Sequence, residues 1–297
     1  MSGKEMQSVC QFNHVGARRL VRPLAAIALC SLSAMQAPAA LETFDYPDGV
    51  LDGQGSVGEW TGPWQPGPAS LTGTPPSVLP FRVESNQLKI DLTNQTAYGY
   101  QDWDVQRSLT SPLATSSVYM SFEITPGEMG SRVGVLDDAY AWLNIGFSDQ
   151  ASNMASKGAM FSVYKYNSSG TEFVRIGSSL DGIYDGTTFT VTNWTPGQSY
   201  KLVGRLDFDA FGTEQWTVWL NPTDESSIPQ VVTSKELGYT SIGFTQMWYA
   251  IYNLNNTQDT YVDNLRIGST WESAVLPEPS SLALLGMGGM AFARRRR

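Results

Sequence analysis

The sequence predicts an all-β protein: a two-sheet antiparallel β-sandwich flanked by an N-terminal signal peptide and a short C-terminal apolar helix. Three observations predict it. Apolar and polar residues alternate with period two through residues 40–275, no long stretch there carries helical periodicity, and turn sequences recur at short, regular intervals.

The N-terminal element is read from charge and length. Residues 1–22 carry Lys4, Arg18, Arg19 and Arg22, and residues 24–35 carry no charge. A basic region, an apolar run and a small-x-small site, here Ala37-Pro38-Ala39, form the layout of a secretory signal. The run is shorter than the roughly 20 residues that a spanning helix needs. Residues 1–39 therefore read as a cleavable signal, and the mature chain begins near Ala40. Two adjacent arginines are ordinary in a basic signal region, which favours a general secretory signal; Arg18-Arg19 followed by Leu20-Val21-Arg22 leaves a twin-arginine signal as the alternative.

Removal of that segment empties the chain of much chemistry. Cys10, Cys30 and His14 are its only cysteines and its only histidine. The mature domain then has no disulfide, no Ser-His-Asp or Cys-His catalytic set, and no histidine- or thiolate-ligated metal. Its stability has to come from the size of its core. Taking the eight basic and two acidic residues of the terminal segments from totals of 19 and 28 leaves 11 and 26, a formal net charge of −15. Nucleic acid and anionic membrane surfaces would repel such a domain, whereas neutral glycans and divalent cations are compatible with it.

Within residues 40–275 the strands are read one by one. Phe122 and Ile124 alternate with Ser121 and Glu123; Leu143, Ile145 and Phe147 alternate with Trp142, Asn144 and Ser148; Leu202, Leu206 and Phe208 alternate with Lys201, Arg205, Asp207 and Asp209. Each pattern gives a strand one buried and one wetter face. Further strands are expected at 81–83, 87–92, 160–166, 173–176, 187–191, 215–220, 230–233, 242–252 and 260–267. Asn167-Ser168-Ser169-Gly170, Asp181-Gly182, Asp185-Gly186, Thr195-Pro196-Gly197 and Asn221-Pro222 separate them as turns. The Gly- and Pro-rich stretch 53–80, with Trp60 and Trp64, reads as a long loop wrapped on the sandwich or as a flap.

The last 22 residues form the third element. Pro277-Glu278-Pro279 precedes an uncharged run over 282–293, and Arg294, Arg295, Arg296 and Arg297 end the chain. An apolar segment of this length, followed by arginines, associates transiently with a membrane and stalls there during export. This tripartite end resembles the PEP-CTERM sorting signal of Gram-negative and related bacteria. The resemblance implies an exported protein, processing by an exosortase near Pro277 to Pro279, and delivery to the cell envelope, the surface or an extracellular polymeric matrix. The domains are then 1–39, 40–275 and 276–297.

A second resemblance covers most of residues 41–272. Glu42-Thr43-Phe44-Asp45-Tyr46, the run 200–208 followed by 216–222, and Tyr261-Val262-Asp263-Asn264-Leu265-Arg266-Ile267 resemble concanavalin A-like or laminin G-like jelly rolls. That resemblance implies neighbouring first and last strands, and a scaffold that hosts glycan binding, glycan hydrolysis or neither.

Three constellations carry candidate chemistry. Aromatic rings beside amides suit sugars, which offer C–H groups to a ring face and hydroxyls to an amide. Trp142 with Asn144, Trp219 with Asn221, and Trp248 with Gln246 and Tyr252 have that pattern. Asp45, Asp48 and Asp52 in a Gly-rich entry, with Asp263 in the last strand, offer oxygen ligands to a structural Ca²⁺ if first and last strands are neighbours; no other cofactor is expected. Asp102/Asp104 and Asp207/Asp209 are same-face carboxylate pairs of the spacing that glycan hydrolysis uses. In a domain with 26 acidic residues such pairs arise by composition alone, and no Glu-x-Asp-x-x-Glu strand is present. The expectation is a non-catalytic exported surface or matrix protein that binds exopolysaccharide or another glycan. The alternative is a secreted polysaccharide hydrolase or lyase.

Overall fold

The computed structural model describes residues 39–55, 58–66, 80–91, 100–127, 131–132, 138–148, 158–168, 171–180, 186–190, 195–208, 212–252, 254–255 and 259–275. All belong to one unit, Ala37–Arg297. In chain order the strands begin with β1 (Ala39–Glu42), β2 (Gly49–Val50), β3 (Gln65–Pro66), β4 (Phe81–Glu84), β5 (Gln87–Ile90) and β6 (Tyr100–Leu113). Next come β7 (Ser117–Thr125), β8 (Ser131–Arg132), β9 (Asp138–Ser148), β10 (Ala159–Ser168), β11 (Thr171–Leu180) and β12 (Gly186–Thr190). The series ends with β13 (Tyr200–Asp207), β14 (Thr213–Leu220), β15 (Val231–Glu236), β16 (Ile242–Tyr252), β17 (Leu254–Asn255), β18 (Thr260–Gly268) and the helix α1 (Trp271–Val275).

Two antiparallel sheets form the expected sandwich. The first runs β15-β14-β13-β7-β18-β5-β4-β2, with β1 also paired to β18; the second runs β12-β11-β10-β9-β16-β6-β3. First and last strands are thus neighbours, as the jelly-roll resemblance implies. Phe122 of the first sheet meets Phe161 of the second edge-on at 5.1 Å between centroids. Trp216 meets Phe147 at 5.5 Å and Phe161 at 5.2 Å. Alternation produces this packing, because even-numbered residues of β7, β13 and β14 all face the second sheet. Gly204 shows how tight the layer is: a Cβ there would collide with the ring of Trp216.

Local chemistry explains the turns. Glu84 pairs with Gln87, and the two residues between them, Ser85 and Asn86, have φ of 55° and 60°. Positive φ at both central positions makes the tight hairpin turn whose twist matches the flanking strands. In β18 the register shifts between Asp263 and Arg266, with Asn264 at φ 53°; this bulge lets both Val262 and Leu265 face the core. The described part of the 53–80 stretch is a wrapped loop: Gly53 N–H donates to the Trp64 carbonyl (2.9 Å), and Trp64 N–H donates to that of Gln54 (2.8 Å). Trp60 and Trp64 are both buried.

α1 is an element the alternation did not predict. It lies on the outer face of the first sheet, where Trp271 packs edge-on against Trp219 (5.6 Å) and Tyr119 (6.4 Å). Lys201 Nζ donates to the Val275 carbonyl at 2.8 Å, and Ser121 Oγ donates to that of Ala274. Among the described residues no helix is long and apolar enough to cross a membrane. The expected apolar helix over 282–293 lies outside the described residues, as do Pro277, Glu278, Pro279 and the arginine tail.

Candidate functional site

Two polar assemblies stand out: one inside the sandwich, one on the outer face of the second sheet. Inside, Glu42 on β1 and Arg107 on β6 form an ion pair between the sheets, with side chains 2% and 1% exposed. Every neighbour contributes. Tyr46 Oη donates to Glu42 Oε2 (2.8 Å), Trp64 Nε1 donates to the same oxygen (3.0 Å), and Phe44 N–H donates to Oε1 (2.8 Å). Arg107 donates to Tyr46 Oη (3.0 Å) and to the Gly62 carbonyl (2.8 Å), and its guanidinium lies 4.9 Å from the centroid of Trp60. Gly55, at φ 134°, leaves the guanidinium room, since a Cβ there would stand 2.8 Å from Arg107 Nη2. A cleft of ≈ 550 Å³ adjoins the pair, lined by Asp45, Tyr46, Gln54, Glu59 and Trp60 among others. The partners of Glu42 make this a structural assembly.

Tyr46 carries a pH signature. Burial, reinforced by the Glu42 charge, pushes its hydroxyl from 10.0 up to about 12. Burial and the bond to Glu225 do the same for Tyr119. The folded protein thus keeps protons that the unfolded chain releases above pH 10, so this contribution is full below pH 10 and lost as pH rises toward 12. The urea midpoint is expected to fall between pH 10 and 12, and to fall less in the Tyr46→Phe, Tyr119→Phe double variant.

On the outer face of the second sheet, register gathers residues from four strands into three rows. Asp104, Trp248, Asn144 and Ser162 form the middle row across β6, β16, β9 and β10. Gln106, Gln246, Gly146 and Met160 lie on one side of it, and Asp102, Ala250, Trp142 and Tyr164 on the other. Strand spacing makes the patch about 14 Å across. Trp142 stands 5.0 Å from Tyr164 and 6.2 Å from Trp248, centroid to centroid. Gln246 Nε2 donates to Asp104 Oδ2 at 2.7 Å, and Ser162 Oγ donates to Asn144 Oδ1. Asn144 is fully buried, yet among the described residues its Nδ2 has no hydrogen-bond partner. Because a hydroxyl can donate or accept, turning the amide over would leave its oxygen over instead of its nitrogen. Trp142 and Tyr164 are half-buried, whereas Trp248, Gln246 and Asp104 are buried.

The structure therefore brings Trp142, Asn144 and Trp248 together, with Gln246 and Asp104. It does not bring Trp219 to them: that ring is 3% exposed on the other sheet, packed against Trp271, with its N–H given to the Ser227 carbonyl at 2.8 Å. Packing under α1 occupies the face that would have stacked on a sugar. Ser162 and Tyr164 were missed, although their even parity in the 160–166 alternation marks them. Asp207 faces outward from the first sheet and is paired with Arg205 at 2.8 Å; Asp209 and the side chain of Asp102 lie outside the described residues.

The acidic residues proposed for Ca²⁺ have separate places. Asp45 is exposed at the cleft, and Asp48 accepts the Ser85 N–H at 3.0 Å in the β4–β5 turn. Asp263 accepts the Asn264 N–H at 2.7 Å, and burial holds its carboxyl above the usual carboxylate value. Among the described residues no group of three or more acidic, histidine or cysteine side chains is placed to hold a metal ion.

Residues 275–297 match the PEP-CTERM protein-sorting motif. No curated protein matches the chain. Solved structures resemble it at low identity. One is alginate lyase Aly36B, a mutant in complex with alginate tetrasaccharide (11% identity, 78% of this chain and 97% of that chain, TM-score 0.43). Another is the CBM2 module of the evolved Dit of Lactobacillus casei BL23 phage J-1 (8%, 78% and 97%, TM-score 0.45). A third is the VIP36 exoplasmic/lumenal domain in its Ca²⁺/Man2-bound form (7%, 79% and 90%, TM-score 0.43). Likenesses at these scores say nothing of what this chain binds.

Proposed function

We propose that this chain, bearing a C-terminal sorting motif, is an exported cell-surface or matrix protein. An exosortase processes it near Pro277 to Pro279, and its sandwich binds a glycan without cleaving it. The observation that carries the binding reading is the Asn144 amide, whose Nδ2 is buried without a hydrogen-bond partner among the described residues, beside the Trp142, Tyr164 and Trp248 rings. A buried polar group left unpaired costs roughly 1–3 kcal/mol, and a ligand hydroxyl reaching it recovers that cost. Trp142 and Tyr164, the half-buried rings of the patch, give the ligand its apolar edge, while Asp104 and Gln246 are bonded to one another and hold the sheet face polar.

The test is a glycan array followed by calorimetry on the best ligand. Trp142→Ala and Asn144→Ala are expected to weaken binding by at least about tenfold each, and Trp219→Ala to leave it unchanged. Equal loss in all three variants, or ligand retained by Trp142→Ala, would remove the site from this face. One observation favours a polysaccharide-cleaving enzyme as second reading: Asp104 places a carboxylate in the same patch. Shortening of the bound polymer by the wild type, lost in Asp104→Asn, would establish it.

A further inference from the structure

We propose that the glycan held on the outer face of the second sheet is a linear, neutral polysaccharide with equatorial linkages, lying across the strands β6, β16, β9, β10 and β11. The proposal rests on the binding reading above and names its ligand class. What carries it is a further row in the register. Tyr252 pairs with Tyr100 on one side and with Tyr140 on the other; Tyr140 pairs with Tyr166, and Tyr166 with Phe173. Backbone register thus places an aromatic residue at the same level on five neighbouring strands.

Strand parity puts this row on the face of Trp142, Asn144 and Tyr164, and Tyr252 is half-buried, as Trp142 and Tyr164 are. The core does not call for it there. Positions of the opposite parity on four of the same strands, Trp103, Tyr249, Leu143 and Val163, fill the interior, and the outward face of such a sheet ordinarily alternates to polar residues. Between the aromatic row and the row of Asp104, Asn144 and Ser162 runs the row of Ala250, Trp142 and Tyr164, which twice the rise per residue puts about 7 Å from each. A chain along that middle row has aromatic positions on one side and carboxylate, amide and hydroxyl groups on the other. A pyranose polymer is made to match, with C–H groups for ring faces and hydroxyls for polar partners.

Spacing and charge narrow the class. Neighbouring strands stand about 4.8 Å apart, close to the length of one pyranose unit in an extended chain, so the aromatic positions recur about once per sugar over roughly 19 Å. Equatorial linkages keep a chain straight enough to meet all of these strands. The net formal charge of −15 on the mature domain, and Asp104 in the polar row, repel a polyuronate and leave a neutral polymer.

The experiment is calorimetry on the full chain, residues 1–297, in a detergent without a sugar headgroup, with cello- and manno-oligosaccharides of two to six units. Affinity is expected to rise with each added unit up to about five and then to level off. Tyr100→Leu and Phe173→Leu each take the ring from one end of the row and keep apolar bulk. Each is expected to weaken pentasaccharide binding about fivefold and to leave disaccharide binding unchanged. Tryptophan emission checks that the variants are folded, and the length series on the wild type decides without them. Affinity that levels off at two units, or equal losses for disaccharide and pentasaccharide in both folded variants, overturns the row as a track and leaves the Asn144 site standing. No affinity for either neutral series overturns the ligand class, whatever else the array shows to bind. An array on which no glycan binds removes the binding reading, and this proposal with it.

Discussion

Glu42→Ala is expected to lower the free energy of unfolding by about 3–5 kcal/mol, measured by urea denaturation followed by tryptophan emission. The reason is what remains after the carboxylate is gone. Arg107 keeps the Tyr46 hydroxyl, the Gly62 carbonyl and the Trp60 ring, but its buried charge loses the carboxylate it is paired with. Trp64 Nε1 and the Phe44 amide lose their acceptor as well. The pair itself is another matter, because taking two charges out of water offsets much of their attraction. The double variant Glu42→Met, Arg107→Met is therefore expected to recover most of the loss, and the coupling from the double-mutant cycle to be large. Losses that simply add would mean that water reaches Arg107 once Glu42 is removed.

Trp216→Ala is expected to cost about 3–5 kcal/mol in the same assay. The ring is fully buried between Phe147 and Phe161, in a slot that Gly204 leaves open. The strand backbones on both sides are laddered and cannot collapse into the cavity. Trp216→Phe separates two contributions. Among the described residues the indole Nε1 has no hydrogen-bond partner, so a phenyl ring gives up volume but also removes an unpaired donor, and its cost is expected to stay below about 1.5 kcal/mol. A phenylalanine as damaging as alanine would show that shape, and not apolar area, governs this layer.

The sandwich was legible wherever alternation was clean. Leu143, Ile145 and Phe147 announced β9 as readily as Leu202 and Leu206 announced β13. The longest strand, β6, escaped as a whole although Asp102 and Asp104 were read as a same-face pair. Its core parity runs Trp103, Val105, Arg107, Leu109, and an arginine in that series breaks the apolar period. The counterion lies 65 positions earlier, beyond the reach of any local pattern. Alternation missed β1 for a related reason, and only the Glu42–Tyr46 phrase pointed to a first strand nearby: four residues adjoining an apolar signal, with a glutamate at the core position, do not alternate as a strand does. The candidate site was half legible. Ring and amide on one strand parity pointed to Trp142, Asn144 and Trp248, and the same rule gathered in Trp219. Parity tells which residues share a face of their own strand; it does not tell which of two sheets that strand joins, or that α1 covers one of them.

The pairing of Ala39 with Gly268, and the start of α1 three residues past Gly268, have a mechanical consequence. Both ends of the folded chain leave from the same edge of the same strand pair. Tension applied between the ends acts across the β1–β18 ladder in the peeling direction, breaking its bonds one at a time instead of shearing them together. The domain should therefore begin to yield at low force once α1 lifts, and the first firm obstacle to further unravelling is Glu42, gripped from the far sheet by Arg107.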